Sequence, residues 1–263
     1  MPRIDIADLS FHYEESGMGT PILLLHGHPL DAAMWLPQLQ AQFPGHRLIA
    51  PDLRNFGITN SPHPPASFAA YAHDILALAD ALSLSQFIVA GLSMGGHVAM
   101  EIAAIAPHRL LGLILADTYA PLDNPQKKSG RLALADRIDA EGIHGYAAEA
   151  LPKLLSATTL AQNPQLASDV LQMMHRQPAA GAAVALRVRA EHRDYISILS
   201  ALDLPTLTVV GSEDQFTPVA DAVLMHETIR NSTLVILEDA SHMTNMEQPE
   251  AFNHALQKFL SSL

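Results

Sequence analysis

The sequence predicts an α/β protein with a mostly parallel, twisted sheet flanked by helices and carrying an inserted helical cap. Three observations lead there. Short apolar runs alternate with longer amphipathic segments, the pattern of strands joined by helical crossovers. A glycine-flanked serine sits where one such run meets a helix-like segment. The interval from the run ending near Ala116 to the run starting near Thr206 is much longer than a single crossover needs.

In chain order, Ile4 to Glu15 reads as an opening pair of strands, Ile22 to His26 as a buried strand and Leu48 to Asp52 as the next. Ser67 to Leu82 has apolar residues at helical spacing. Gln86 to Ala90 is a strand that runs into Gly91-Leu92-Ser93-Met94-Gly95-Gly96, followed by a helix from His97 to Ala106. Leu110 to Ala116, Thr206 to Val210 and Thr233 to Leu237 complete the strands, and Glu247 to Leu260 is the last helix. The long interval is rich in Ala, Leu, Arg and Met, with breaks expected at Pro152, Pro164 and Pro178. It predicts several short helices over residues 119–202, set into a core formed by 1–118 and 203–263.

Composition narrows the function. The chain has 263 residues, enough for one large domain with an insertion. A formal charge of -12 argues against nucleic acid and anionic lipid surfaces, both of which need clustered cations. The lack of cysteine excludes disulfides, thiol nucleophiles and thiolate metal sites. Met1 to Ser10 carries acids and no uninterrupted apolar run, and no later segment has the length of a membrane span, so a soluble, cytoplasmic protein is expected.

Gly91-Leu92-Ser93-Met94-Gly95 matches G-x-S-x-G, in which a serine occupies a strained strand-to-helix turn. Gly91 and Gly95 lack side chains that would clash where the backbone folds back. The string is common, but a strand before it and an Ala-rich helix after it supply the context the motif requires. The serine needs a base, and a histidine titrates in the useful range. Where such an elbow operates, the chain order is Ser, Asp, His. His242 follows the last strand directly, whereas most of the other histidines are expected at the surface. Gly211-Ser212-Glu213-Asp214 follows the preceding strand, making Asp214 the expected acid, with Glu213 and Asp117 as competitors.

Backbone donors must meet the negative oxygen of the transition state. The Met94 N–H is one expected donor. The other is the His28 N–H in His26-Gly27-His28-Pro29, since Pro29 has none. Trp35 is a candidate for substrate binding, against its more usual use in packing. In the cap, Arg131, Arg176 and Arg187 are candidates for holding a carboxylated substrate, against ordinary solvation. The histidines show no metal-binding spacing, there is no dinucleotide or phosphate-loop fingerprint, and no cofactor is expected.

Nearly the whole chain resembles the α/β-hydrolases with a short helical cap. Within them it looks most like 3-oxoadipate enol-lactonases and small carboxylesterases, through Met34-Trp35-Leu36-Pro37-Gln38-Leu39, Pro51-Asp52-Leu53-Arg54, Gly91 to Gly96 and His242-Met243-Thr244-Asn245-Met246-Glu247-Gln248-Pro249. His26-Gly27-His28-Pro29 departs toward the H-G-x-P loop of general esterases, perhydrolases and dehalogenases. The resemblance implies an α/β-hydrolase fold, a Ser93, Asp214 and His242 triad, no metal, and a small ester or lactone as substrate. Hydrolysis of a carbon-carbon bond in a diketone is the alternative chemistry, and a slow ligand receptor that retains the triad is the alternative class.

Overall fold

The computed structural model describes residues 2–263. Its strands are β1 (Arg3–Ile6), β2 (Leu9–Gly17), β3 (Thr20–Leu25), β4 (His46–Pro51), β5 (Phe87–Leu92), β6 (Leu110–Ala116), β7 (Thr206–Gly211) and β8 (Ser232–Leu237). They form one eight-stranded sheet in the order β1-β2-β4-β3-β5-β6-β7-β8. Only the pairings of β2 with β1 and with β4 are antiparallel.

The helices of the first half are α1 (Leu36–Gln40), α2 (Phe68–Ala81) and α3 (Met94–Ile105). Between β6 and β7 come α4 (Pro125–Glu141), α5 (His144–Leu154), α6 (Ala157–Gln162), α7 (Pro164–His175), α8 (Ala179–Ala190) and α9 (Ile196–Ala201). The chain closes with α10 (Val219–Thr228), α11 (Thr244–Glu247) and α12 (Pro249–Leu260).

The central strands read as continuous apolar runs because both of their faces are covered, and every residue of β5 and of β7 is buried. Alternation along a strand divides these residues between two cores. Leu23, Leu25, Phe87, Val89, Leu113 and Leu115 belong to one cluster. Ile22, Leu24, Ile88, Ala90, Leu92 and Ile114 belong to the other.

The chain steps outward from β3 to β4 and then returns to the far side of β3 with β5, so the winding reverses between β3 and β5. In open α/β sheets that reversal leaves a crevice at the carboxyl ends of the strands. The loop after β3 carries His28 and the turn after β5 carries Ser93, which places both residues at the crevice.

Two boundaries differ from the sequence reading. The helix after the elbow starts at Met94 rather than His97, because the glycines pack in its first turn instead of extending a loop. Pro152 does not end a helix but lies within α5, close to its C-terminal end, so that its missing N–H costs one bond of the ladder and little helix remains beyond it. Pro164 opens α7 and Pro178 is the N-cap of α8.

Candidate active site

Ser93 joins β5 to α3 with φ 54° and ψ -112°, a left-handed conformation that a serine adopts only under constraint. The constraint is local. The Ser93 N–H donates to the Ala116 carbonyl at 2.9 Å, and its own carbonyl accepts from Gly96 N–H at 2.9 Å and Thr118 Oγ1 at 2.8 Å. A Cβ at Gly91 would collide with the Gly95 carbonyl, and one at Gly95 would collide with the Leu25 carbonyl. The turn therefore closes only with glycine on both sides of the serine.

The loop after β3 lies against this turn: a Cβ placed on Gly27 would lie 3.5 Å from that of Ser93. The Leu30 N–H donates to the Gly27 carbonyl at 3.0 Å and closes a tight turn around His28. His28 is buried and its Nε2 donates to the Ala182 carbonyl at 3.0 Å, tying the loop to α8. Burial, and then the charge of Arg189, push the His28 imidazole down to about 3, so it is neutral. Met94 is the first residue of α3, where backbone N–H groups lack an acceptor within the helix.

His242 follows β8, and its Nδ1 donates to Asp214 Oδ2 at 2.8 Å. Asp214 Oδ1 accepts from the Phe216 and Thr217 N–H groups at 2.8 and 2.9 Å, and Oδ2 accepts from Thr217 Oγ1 at 2.5 Å. Burial pushes this carboxyl upward, but the charge of His242 and the hydrogen bonds from His242 and Thr217 outweigh it and hold the group below its ordinary range.

Asp117 is fully buried and does not face the imidazole. It accepts from Gly211 N–H at 3.1 Å and from Thr244 Oγ1 at 2.5 Å. Burial first, and the nearby negative charge of Asp214 second, raise its carboxyl well above the usual range.

Ser93, His28 and His242 line one cavity of about 320 Å³. Helices α4, α5 and α8 close over it with Arg131, Tyr146, Leu186 and Arg189. The inserted helices are also fastened beside His242. The His242 N–H donates to the Leu154 carbonyl at 3.1 Å, and the Glu247 carboxylate accepts from Ser241 N–H at 2.8 Å and from Ser156 N–H at 2.7 Å.

Some expected residues are elsewhere. Trp35, a candidate for substrate binding, is a correction: it is completely buried and packs on Phe252 with ring centroids 6.0 Å apart, within the apolar core. Arg176 pairs with Asp31 at 2.6 Å, and Arg187 pairs with Asp136 and Asp139, so only Arg131 of the three cap arginines reaches the cavity. Besides His242, the histidines at 12, 26, 28, 97 and 192 are buried, while the other eight are exposed or partly exposed, in keeping with the expectation that most lie at the surface. Sequence reasoning missed Arg189, Lys127, Thr217 and Glu247. For Thr217 and Glu247 the signal was proximity to Asp214 and His242; for Arg189 there was none, because α8 shows no clear apolar stripe.

Among the described residues no group of three or more His, Asp or Glu is placed to hold a metal ion, and no helix is long and apolar enough to cross a membrane.

Residues 20–249 match the family described as the alpha/beta hydrolase fold, and the chain belongs to that family. A 3-oxoadipate enol-lactonase of Acinetobacter baylyi is 29% identical over 252 residues, covering 95% of this chain and 92% of the relative. A thermophilic esterase from Thermogutta terrifontis, solved with malate bound, superposes with a TM-score of 0.96 at 36% identity, covering 100% of this chain and 99% of that one. An enol-lactonase from Burkholderia xenovorans superposes with a TM-score of 0.91 at 25% identity, covering 99% and 100%. Together these matches support a hydrolase.

Proposed function

We propose that the protein is a serine hydrolase of carboxyl esters or lactones, with Ser93 as nucleophile, His242 as general base and Asp214 as the acid that orients the histidine. The observation that carries this reading is the 2.8 Å bond from His242 Nδ1 to Asp214, with His242 and the strained Ser93 facing the same cavity. An imidazole that donates through Nδ1 has Nε2 free to accept a proton.

In this reading Ser93 Oγ attacks the substrate carbonyl carbon while His242 takes its proton. The oxygen gains negative charge, which the N–H groups of Met94 and His28 stabilise. The intermediate collapses as the imidazolium protonates the departing alcohol oxygen, leaving an acyl-serine. Water, deprotonated by His242, then attacks the acyl carbon, and the imidazolium returns that proton to Ser93 Oγ as the acid departs. No step requires a cofactor. Residues 119–202 act as a cap that limits the substrate, and the relatives named above make small esters and lactones the class to test, in a soluble, cytoplasmic enzyme.

The test is turnover of a short p-nitrophenyl ester together with labelling by a fluorophosphonate. Turnover and an adduct on Ser93, both lost in Ser93→Ala, are the expected result. Absence of both in the intact protein overturns the reading.

A further inference from the structure

The cavity over Ser93 is cationic, although the chain as a whole carries a formal charge of -12. Lys127, Arg131 and Arg189 line it, and among the described residues no carboxylate does. Asp123, just behind, is already engaged: it accepts from Arg131 Nε at 2.5 Å and from Tyr119 Oη at 3.0 Å. The Lys127 ammonium lies 5.3 Å from the Tyr119 ring. Asp214 lies behind His242 and is bonded to it. The neutral His28 adds no charge.

Arg189 differs from its neighbours. It is partly buried, its Nε is inaccessible and meets no hydrogen-bond partner, and among the described residues no carboxylate pairs with it. Burial, and then the charge of Arg131, push its guanidinium down to about 10, which leaves it protonated at neutral pH. A guanidinium removed from water without a counter-ion is costly, and a fork of N–H donors matches a carboxylate. The cost disappears when a ligand supplies the missing anion.

Resting on the serine hydrolase reading, we propose that the substrate is an ester or lactone bearing a second, free carboxylate, and that Arg189 is the residue that selects it, assisted by Lys127 and Arg131. Hydrolysis of a half-ester of this kind releases a dicarboxylate and an alcohol. The product then carries one more negative charge than the substrate in the same cationic cavity.

Two matched pairs test this: monomethyl against dimethyl glutarate, with the charge on the acyl side, and acetoxyacetate against its methyl ester, with the charge on the alcohol side. The expected result is a kcat/KM at least about 10-fold higher for the charged member of one pair, a preference that shrinks with added salt. In Arg189→Met the charged-to-neutral ratio should fall by about 10-fold or more, and Arg189→Lys should restore part of it. Glutarate should slow fluorophosphonate labelling of Ser93, and 1,5-pentanediol should not. Neutral members favoured in both pairs, or a ratio unchanged in Arg189→Met, overturns the inference. If the variants do not fold, the comparison in the unmodified protein and the glutarate protection decide the matter. A protein that turns over neutral esters without charge preference loses only this inference; one that neither labels nor turns over any ester loses the hydrolase reading as well.

Discussion

His242 Nδ1 lies 2.8 Å from Asp214 Oδ2, while Asp117, after the neighbouring strand, turns its carboxyl to Gly211 and Thr244. The two buried acids thus have separate partners. Asp214→Asn should lower kcat by about 10⁴-fold, because an amide cannot enforce the same imidazole tautomer. Asp117→Asn should stay within about 10-fold, since burial already favours the neutral form of that carboxyl and an amide oxygen can still accept from Gly211. Steady-state kinetics of both variants check this, and the reverse ranking would reassign the acid.

In the proposed mechanism the His28 backbone donates to the transition state separately from its imidazole. His28→Ala keeps the N–H, whereas His28→Pro deletes it. The proline variant should have a kcat about 100-fold below that of the alanine variant. Equal rates would remove His28 from the oxyanion site.

Glycine has opposite values at two positions. A Cβ at Gly95 meets the Leu25 carbonyl, which is backbone of the central sheet, whereas a Cβ at Gly130 in α4 meets nothing within 4 Å. Gly95→Ala should cost about 3 kcal/mol in urea unfolding. Gly130→Ala should stabilise by about 0.5–1 kcal/mol through its better helix propensity. A tolerated Gly95→Ala would contradict the closeness of the elbow to β3.

Buried His12 donates through Nδ1 to Asp52 Oδ2 at 2.8 Å, and that bond raises the imidazole above its ordinary value of 6.5 against the opposing effect of burial. A group raised in the folded state stabilises fully below its unfolded value and loses that contribution as pH rises through the folded value. His12→Gln should therefore cost more stability at pH 5.5 than at pH 9, as measured by urea unfolding. Equal costs at the two pH values would assign His12 a packing role alone.

Asp31 joins the inserted helices to the core. It accepts from Arg176 at 2.6 and 2.7 Å, from Gln177 Nε2 at 2.8 Å and from Ala33 N–H at 3.0 Å. The Arg176 side chain is 52% exposed and can return to water, but the carboxylate is almost fully buried. Asp31→Ala should cost about 2 kcal/mol and Arg176→Ala less than about 1 kcal/mol. Thermal or urea unfolding of the pair tests the ranking, and equal costs would show that the ion pair rather than the acceptor network matters.

What the sequence determined by itself was local. A strand such as Phe87 to Ala90 is an unbroken apolar run because both of its faces are buried, and the glycines around Ser93 mark a turn that no larger residue can make. Both signals reside within a few consecutive residues. The order of the strands also told in advance which loops follow them, and so where Ser93, Asp214 and His242 stand along the chain. Tertiary structure alone decided which side chains meet across distance. It sent Trp35 into the core against Phe252, engaged Arg176 with Asp31 and Arg187 with two acids, and left Arg189 over the cavity without a partner among the described residues. An arginine is compatible with solvent, an ion pair or a ligand, and its sequence neighbours do not distinguish them. The carboxylates that settle the matter lie far along the chain and become neighbours only when the helices fold over the sheet.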